Sequence, residues 1–172
     1  DGWVVTIWDP AAAQQCAEAG IGGAVALTVG GKTDSEHGSP LRIEGFVRTL
    51  SDGAYEEFER RHGGARCYKQ GLTAVVRVPC GAGSGLLVLN SSRESPNSIH
   101  QITSVGIVPP QQKILAAKGA IAPRAAYEPV SPHLIEVDSG GACWIGRGSG
   151  SYERARKHLY EWTISPKAGD NT

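Results

Sequence analysis

The 172-residue sequence contains no methionine, only two phenylalanines and no net charge. Lysine plus arginine number 17, as do aspartate plus glutamate, which excludes the basic footprint of a nucleic-acid-binding or polybasic membrane-surface protein. No apolar run approaches the roughly 20 residues that a membrane-spanning helix needs. The hydrophobic fraction of 40% is too high for a disordered chain. These absences predict a soluble, near-neutral domain, and the length predicts one hydrophobic core.

The sequence begins with Asp1 and not with methionine. It opens at Asp1-Gly2-Trp3, with neither the basic stretch nor the apolar stretch of a secretory signal peptide. Because a primary translation product starts with Met, we expect a chain that has been processed, trimmed or cut from a larger protein.

Cysteine is scarce, and its spacing excludes the common cysteine motifs. Cys16, Cys67, Cys80 and Cys143 form no CxxC pair, which excludes a zinc knuckle or a thioredoxin-type motif. Four cysteines could form two disulfides in a secreted domain, but a chain of this length can bury a core without them. We therefore expect reduced thiols and a cytoplasmic protein.

Strand-forming runs dominate the first half of the sequence. Asp9-Pro10 has the N-cap and N1 pattern and predicts a helix over residues 11–19, which Gly20 ends. The runs at 72–78 and 85–89 predict an antiparallel pair. The predicted strands, recognised by β-branched, aromatic or alternating residues, cover residues 3–8, 23–29, 41–48, 72–78 and 85–89.

The second half of the sequence alternates between strand and helix signals. Helices are predicted at 97–105 and 123–128, and strands at 113–118 and 134–138, an order typical of parallel βαβ crossover units. The predicted fold class is therefore α/β, with a mixed sheet: antiparallel strands in the first half and βαβ crossover units in the second half. We assign residues 1–140 to one domain and residues 141–172 to a divergent extension that packs on it.

Partial matches to nucleotide-binding and catalytic motifs fail on spacing. Gly31-Lys32-Thr33 resembles the end of a phosphate-binding loop, but that motif needs a glycine where Ala26 stands. The glycine-rich stretches at 81–85 and 146–150 lack the dinucleotide-binding spacing. No GxSxG nucleophile elbow occurs, and no two histidines stand two to four residues apart as a ready pair of metal ligands. The motifs alone therefore assign no reaction.

Two groups of charged residues are candidates for a functional site. Lys32 and His37 lie in the loop at residues 30–38, which follows a predicted strand and is dense in titratable groups; a solvated turn is the alternative. Lys118 ends a predicted strand and Arg124 begins the next helix, where ligands of α/β sheets bind. Both side chains could reach an anionic group, and structural ion pairing is the alternative.

A series of short motifs follows one another over about residues 3–140. In order they are Ile7-Trp8-Asp9-Pro10, Ala19-Gly20, Gly30-Gly31-Lys32-Thr33-Asp34, His37-Gly38, Pro40-Leu41, Leu50-Ser51-Asp52-Gly53, Gly71-Leu72-Thr73-Ala74-Val75, Asn90-Ser91-Ser92-Arg93, Gly106-Ile107, Lys113-Ile114-Leu115, Lys118-Gly119, Pro123-Arg124-Ala125-Ala126-Tyr127-Glu128-Pro129 and Ile135-Glu136-Val137-Asp138. This order resembles the C-terminal domain of the microcystinase C (MlrC-like) metallopeptidases. The resemblance depends on the whole series, because no single motif is diagnostic.

This resemblance implies a bacterial metal-dependent hydrolase that acts on peptide or amide bonds, with zinc as its cofactor. It places the zinc ligands mainly in a larger N-terminal domain, so that domain is the expected partner and the isolated chain is expected to be inactive. Lys32 and His37 are then the candidate catalytic residues, and Asp34, Lys118 and Arg124 the candidates for substrate binding. A small peptide or amide is the expected substrate, and homo-oligomer formation stays open.

Two departures limit the resemblance. Ala122-Pro123 stands where many relatives carry His-Phe, so any role of that histidine is lost here. His158-Leu159-Tyr160-Glu161-Trp162 replaces the usual ending, which leaves the C-terminal extension outside the resemblance. The alternative hypothesis is a non-catalytic binding or regulatory domain that retains the fold.

Overall fold

A computed structural model describes residues 2–35, 37–59, 64–119, 121–131, 133–137 and 139. Its strands are β1 (Trp3–Trp8), β2 (Ala24–Val29), β3 (Leu41–Ser51), β4 (Ala54–Glu56), β5 (Cys67–Lys69), β6 (Thr73–Cys80), β7 (Gly83–Asn90) and β8 (Ile114–Ala116). Its α-helices are α1 (Pro10–Ala19), α2 (His100–Thr103) and α3 (Arg124–Tyr127), and single 3-10 turns lie at Pro109–Gln111 and Glu128–Val130. No helix in these ranges is long and apolar enough to cross a membrane.

Six strands form one mixed sheet in the order β2-β3-β6-β7-β1-β8. The four strands β2, β3, β6 and β7 pair antiparallel, whereas β1 lies parallel to both of its neighbours, β7 and β8. Strands β4 and β5 form a separate antiparallel hairpin. The predicted α/β class with a mixed sheet is confirmed, as is the antiparallel pairing of the runs now seen as β6 and β7.

The second half of the chain contains less regular structure than the sequence predicts. The two strands β7 and β8 run parallel, but the N-terminal strand β1 lies between them. The helix predicted at 97–105 is one turn, His100–Thr103. The strand predicted at 134–138 is wrong over the described residues 134–137, because no strand pairs with them and Ile135 and Val137 are largely exposed. The extension assigned to residues 141–172 lies outside the described residues.

Two apolar clusters cover the two faces of the central strands. In β7, Leu87 and Leu89 pack with α1 on one side, here called the α1 face, because alternate strand residues point to opposite faces. Leu86 and Val88 pack with Ile102 of α2 on the other side, here called the α2 face. Burial on both faces explains why β6 and β7 are nearly continuous apolar runs, and each such side chain stabilises the fold by about 1.5–3 kcal/mol.

Helix α1 is defined by residues at its two ends. Asp9 caps the helix by accepting a hydrogen bond from Ala12 N at 3.1 Å, and Pro10 occupies the first helical position. Gly20 ends it in the left-handed region at φ 73°, where glycine has no steric penalty. The predicted helix and its signals are therefore confirmed. The small buried residues Ala13 and Cys16 let α1 lie close to the sheet.

The sheet curls around α1. Strand β2 lies four places from β1 in the sheet order, yet Gly30, directly after β2, donates its backbone N–H to Asp9 Oδ2 at 3.1 Å. Residues of β2 and β3 belong to the same α1-face cluster as Ile7 of β1. This curl brings the loop at residues 30–38 to the C-terminal end of β1.

Candidate functional site

The C-terminal ends of the three parallel strands β7, β1 and β8 form one edge of the sheet, which we call the carboxyl edge. The residues that follow these strands are Ser91–Glu94 after β7, Asp9 after β1 and Ala117–Lys118 after β8. Ligands of open α/β sheets bind outside the carboxyl ends of parallel strands. The carboxyl edge is therefore the candidate functional site.

Asp9 lies at the centre of this edge and is 2% exposed. Oδ1 accepts from Ala12 N at 3.1 Å and Oδ2 accepts from Gly30 N at 3.1 Å. The Lys32 ammonium donates to Oδ1 at 2.9 Å and lies 2.7 Å from Oδ2. One carboxylate therefore caps α1, holds the start of the loop at 30–38 and orients a lysine. The sequence pattern identified Asp9 only as a helix cap, because its bonds to the loop depend on the curl of the sheet.

Lys32 is a fixed but partly accessible cation at the carboxyl edge. Its side chain is 38% exposed, so solvent or a ligand can reach the ammonium group while Asp9 holds it. A lysine ammonium has three N–H donors, and the carboxylate does not use all of them. Lys32 can therefore donate a hydrogen bond to an oxygen of a bound molecule, although Asp9 compensates its charge.

Asp34 and His37 form a second pair further along the same loop. Asp34 Oδ1 accepts from the backbone N–H of His37 at 2.9 Å and lies 2.8 Å from the ring Nδ1. A carboxylate on Nδ1 orients an imidazole and leaves Nε2 as the nitrogen that can exchange a proton with another molecule. Both side chains are partly exposed. The loop therefore combines an oriented lysine with an oriented histidine.

Lys118 and Arg124 lie on the segments that follow β8. Lys118 is exposed two residues after β8, whereas Arg124 lies in α3 and forms an ion pair with Glu136. Within the described ranges, no hydrogen bond or ion pair joins either side chain to Lys32, Asp34 or His37. The ion pair that the sequence left as an alternative for Arg124 is thus present, and Lys118 stays available at the carboxyl edge.

A second cation at the edge is held by an aromatic ring. The Arg93 guanidinium lies 4.0 Å from the centroid of the Trp8 ring, and the Trp8 indole N–H donates to Ser91 O at 3.0 Å. Arg93 appeared in the sequence only as the last residue of the Asn90-Ser91-Ser92-Arg93 motif. Its contact with Trp8 joins segments far apart in the chain, and no local pattern predicts such a contact.

Polar side chains are buried behind the carboxyl edge on the α2 face. Gln70, Asn90 and Gln101 are each at most 1% exposed, and Gln70 Nε2 donates to Gln101 O at 3.1 Å. Nearby, burial raises the pKa of Tyr127 to about 12. Burial, with a smaller contribution from Glu94, also raises the pKa of Tyr55. Both tyrosines therefore stay neutral, and they add no charge to the buried polar side chains behind the carboxyl edge.

The side chains of the described residues do not fit the zinc site that the resemblance implies. A protein zinc site uses three or four nitrogen, sulfur or carboxylate ligands, and no group of three such side chains comes together in the described ranges. Both oxygens of Asp9 already accept hydrogen bonds, and Asp34 with His37 supplies two donor groups rather than three. The described part of the chain therefore supplies no complete zinc site.

Comparison with known proteins identifies relatives of this domain. The family model described as "MlrC C-terminus" matches residues 1–149. Microcystinase C of Sphingomonas sp is 27% identical over 134 residues, which is 77% of this chain and 24% of that protein. A crystal structure from Mesorhizobium sp. BNC1, described as "Putative metallopeptidase", is similar with a TM-score of 0.66 at 20% identity, over 76% of this chain and 25% of that chain.

These relatives are much longer than the present chain. The chain spans about a quarter of the length of each of the two proteins. At 20% identity, the likeness to the crystal structure shows the fold alone. The family match, in contrast, covers most of the chain and includes the whole carboxyl edge. The chain belongs to the MlrC C-terminus family.

Proposed function

We propose that this chain is the C-terminal, substrate-facing domain of a bacterial metal-dependent hydrolase that acts on peptide or amide bonds. Zinc is the proposed metal, and an N-terminal domain of the same protein is proposed to hold it and to face the carboxyl edge. The observation that carries the proposal is the pairing of Lys32 with Asp9 and of His37 with Asp34 on one loop of this edge, in a chain that belongs to the MlrC C-terminus family.

Each pair supplies a group that amide hydrolysis needs. The oriented Lys32 ammonium can donate to the oxygen on which negative charge develops when an amide carbonyl is attacked. The oriented His37 ring can transfer a proton at Nε2 to or from a reacting group. Because the partner carboxylates set both orientations before substrate binds, little reorganisation is required in the transition state. We propose Lys32 and His37 as the catalytic residues that this domain contributes.

Substrate binding is proposed at the flanks of the loop. Asp34 is partly exposed and can accept from an N–H of a peptide, while Lys118 is exposed at the end of β8 and can bind a carboxylate. Arg124 would bind substrate only by exchanging its ion pair with Glu136. The proposed substrate is therefore a short peptide or amide, the proposed location is the cytoplasm, and a homo-oligomer is compatible with the proposal.

The test uses the full-length parent protein and a short fluorogenic peptide. We expect hydrolysis that a chelator abolishes and zinc restores. The variants Lys32→Ala and His37→Ala should each lower kcat/KM by about 100-fold, because a single transition-state donor or general acid–base group contributes roughly 10²–10³-fold. Lys113→Ala and His133→Ala are the matched controls, since both residues are exposed and Lys113 precedes β8, at the end of that strand opposite the carboxyl edge.

Three results would contradict parts of this proposal. Unchanged kcat/KM in Lys32→Ala and His37→Ala, with active parent protein, would reassign the loop to a structural role. Full activity after chelation would show that hydrolysis does not depend on a metal ion. Peptide binding without hydrolysis by the full-length protein would favour the alternative, a non-catalytic binding domain that retains the fold.

A further inference from the structure

We propose that Arg93, held on the Trp8 ring, is the residue of this domain that binds a carboxylate group of the peptide. The inference rests on the proposed function in taking a peptide as the ligand. It concerns a residue outside the loop at 30–38, and it gives the substrate a chemical class: a peptide that carries a carboxylate.

Arg93 differs from Lys32 and Arg124 because an aromatic ring, and not a carboxylate, holds its guanidinium. Lys32 lies 2.7 Å from an Asp9 oxygen, and Arg124 is paired with Glu136. Across the described ranges, the Arg93 guanidinium forms no hydrogen bond or ion pair, and it lies over the face of the Trp8 ring, 4.0 Å from its centroid. A ring face attracts the cation without using its N–H donors. The donors of Arg93 are therefore free to bind an anion.

The position of Arg93 is set by the segment before it. The backbone N–H groups of Ser91 and Ser92 donate to Leu72 O at 3.0 Å and to Gln70 O at 2.8 Å. The Trp8 indole N–H donates to Ser91 O at 3.0 Å, so the ring and the segment that carries Arg93 are fastened to each other. A guanidinium held in this way loses little conformational freedom when it binds a ligand.

The two held cations lie on opposite sides of the end of β1. Trp8 lies on the α2 face of β1, as Val4 does, because alternate residues of a strand share a face. Asp9 follows on the α1 face, where α1 begins. Arg93 on Trp8 and Lys32 on Asp9 therefore flank the strand end. A peptide lying across the carboxyl edge can place its reacting amide near Lys32 and a carboxylate near Arg93.

The chemistry of the guanidinium favours a carboxylate over other groups of a peptide. Its planar N–H fork matches the two oxygens of a carboxylate and can form two parallel hydrogen bonds. Because the fork is already positioned, loss of such a pair is expected to weaken binding by about 10- to 100-fold. A neutral amide in the same place would accept one weaker hydrogen bond.

The experiment measures peptide affinity separately from hydrolysis. Isothermal titration calorimetry is carried out on the full-length protein in the presence of a chelator, with three peptides of one backbone sequence. The first has a free C-terminal carboxylate and no acidic side chain, the second is its C-terminal amide, and the third is that amide with one glutamate. Hydrolysis of the same peptides is measured with zinc. Arg77→Ala is the matched control, because Arg77 is exposed on β6 and pairs with Leu86, four residues before the end of β7 at the carboxyl edge.

We expect the unsubstituted protein to bind one of the two carboxylate-bearing peptides at least tenfold more tightly than the neutral amide. The preferred peptide identifies the source of the carboxylate, main chain or side chain. Arg93→Ala should remove this preference without changing affinity for the neutral amide, and Arg93→Lys should restore only part of it, because lysine keeps the charge but not the fork. Trp8→Phe should keep the preference, whereas Trp8→Leu should weaken it.

Two results would overturn the proposal: absence of a carboxylate preference in the unsubstituted protein, or an equal loss of affinity for all three peptides in Arg93→Ala. The second result would mean that Arg93 only supports the structure of the edge. Carboxylate-dependent binding without hydrolysis would contradict the proposed hydrolase while supporting the role of Arg93. If all three peptides are hydrolysed and Arg93→Ala does not change their hydrolysis, the result would support the proposed hydrolase and contradict the role of Arg93.

Discussion

Replacement of Asp9 by alanine should be among the most damaging single changes at the carboxyl edge. The side chain is nearly fully buried and accepts from Ala12 N, Gly30 N and Lys32 Nζ. Loss of a helix N-cap costs about 1 kcal/mol. Loss of a charged acceptor for a backbone N–H costs about 1.5 kcal/mol. The partly exposed ion pair with Lys32 adds about 0.5 kcal/mol after allowance for solvent screening. Asp9→Ala should therefore lower the free energy of unfolding by about 3 kcal/mol.

The measurement is urea unfolding of the 172-residue chain, with the free energy of unfolding extrapolated to zero denaturant. Asp9→Asn keeps a good N-cap but can offer only one carbonyl oxygen, so we expect a loss of about 1–2 kcal/mol. Lys32→Ala should cost about 0.5–1 kcal/mol, since water can replace the ammonium at this partly exposed position. The double variant Asp9→Ala/Lys32→Ala then gives the coupling energy between the two side chains.

Two outcomes would refute the reasoning about Asp9. A loss below about 0.5 kcal/mol in Asp9→Ala would mean that its three hydrogen bonds do not fasten the loop to α1, because such a value is typical of an unremarkable surface substitution. Strict additivity in the double variant would mean that the pair with Lys32 contributes nothing to stability, whatever its geometry.

Three further predictions follow from burial and backbone geometry. Gly71→Ala should lower the free energy of unfolding by more than 1 kcal/mol, because Gly71 has φ 68° and an added Cβ would clash with two serine hydroxyls. Gly81→Ala is the control, since Gly81 has φ 56° but no atom lies near the position of its added Cβ. It should lower the free energy of unfolding less in the same urea titration. The free energy of unfolding should fall as the pH rises from about 10 to about 12, because burial raises the pKa of Tyr127 to about 12 while an unfolded tyrosine ionises near 10. Tyr127→Phe should reduce the slope of the free energy of unfolding against pH in this range. An unchanged slope would contradict the raised pKa of Tyr127. Burial raises the pKa of Cys16 to about 11, so this thiol should resist a thiol reagent until the protein unfolds, whereas the exposed Cys67 should react at once. The reaction is followed by absorbance, with Cys67→Ser as the control. Equal rates for the two thiols would contradict the burial of Cys16.

Much of the fold could be predicted from short sequence signals. Asp9-Pro10 and Gly20 mark the two ends of α1 because cap and helix-end residues act within one turn of the chain. The apolar runs of β6 and β7 are recognisable because burial on both faces removes polar residues from a strand. In contrast, Leu134-Ile135-Glu136-Val137 has strand-like residues without a strand, since the described residues provide no neighbour to complete its hydrogen bonds.

The candidate site was only partly predictable. The loop with Lys32 and His37 could be selected because titratable residues after a strand are a local signal. The partners that give the site its geometry are not local: Lys32 contacts Asp9 because the sheet curls, and Arg93 contacts Trp8 across about half of the chain. Such contacts depend on how the strands are ordered, and sequence periodicity carries no information on that order.

The position of β1 between β7 and β8 has a consequence for folding kinetics. Val4 pairs with Leu86 on one side and with Leu115 on the other, so both strands that pair with β1 follow it far along the chain. Pairings of such high sequence separation require closure of long loops and slow the folding of a domain. Trp8 ends this strand and Asp9 follows it, so the carboxyl edge is complete only when β1 has paired with both β7 and β8.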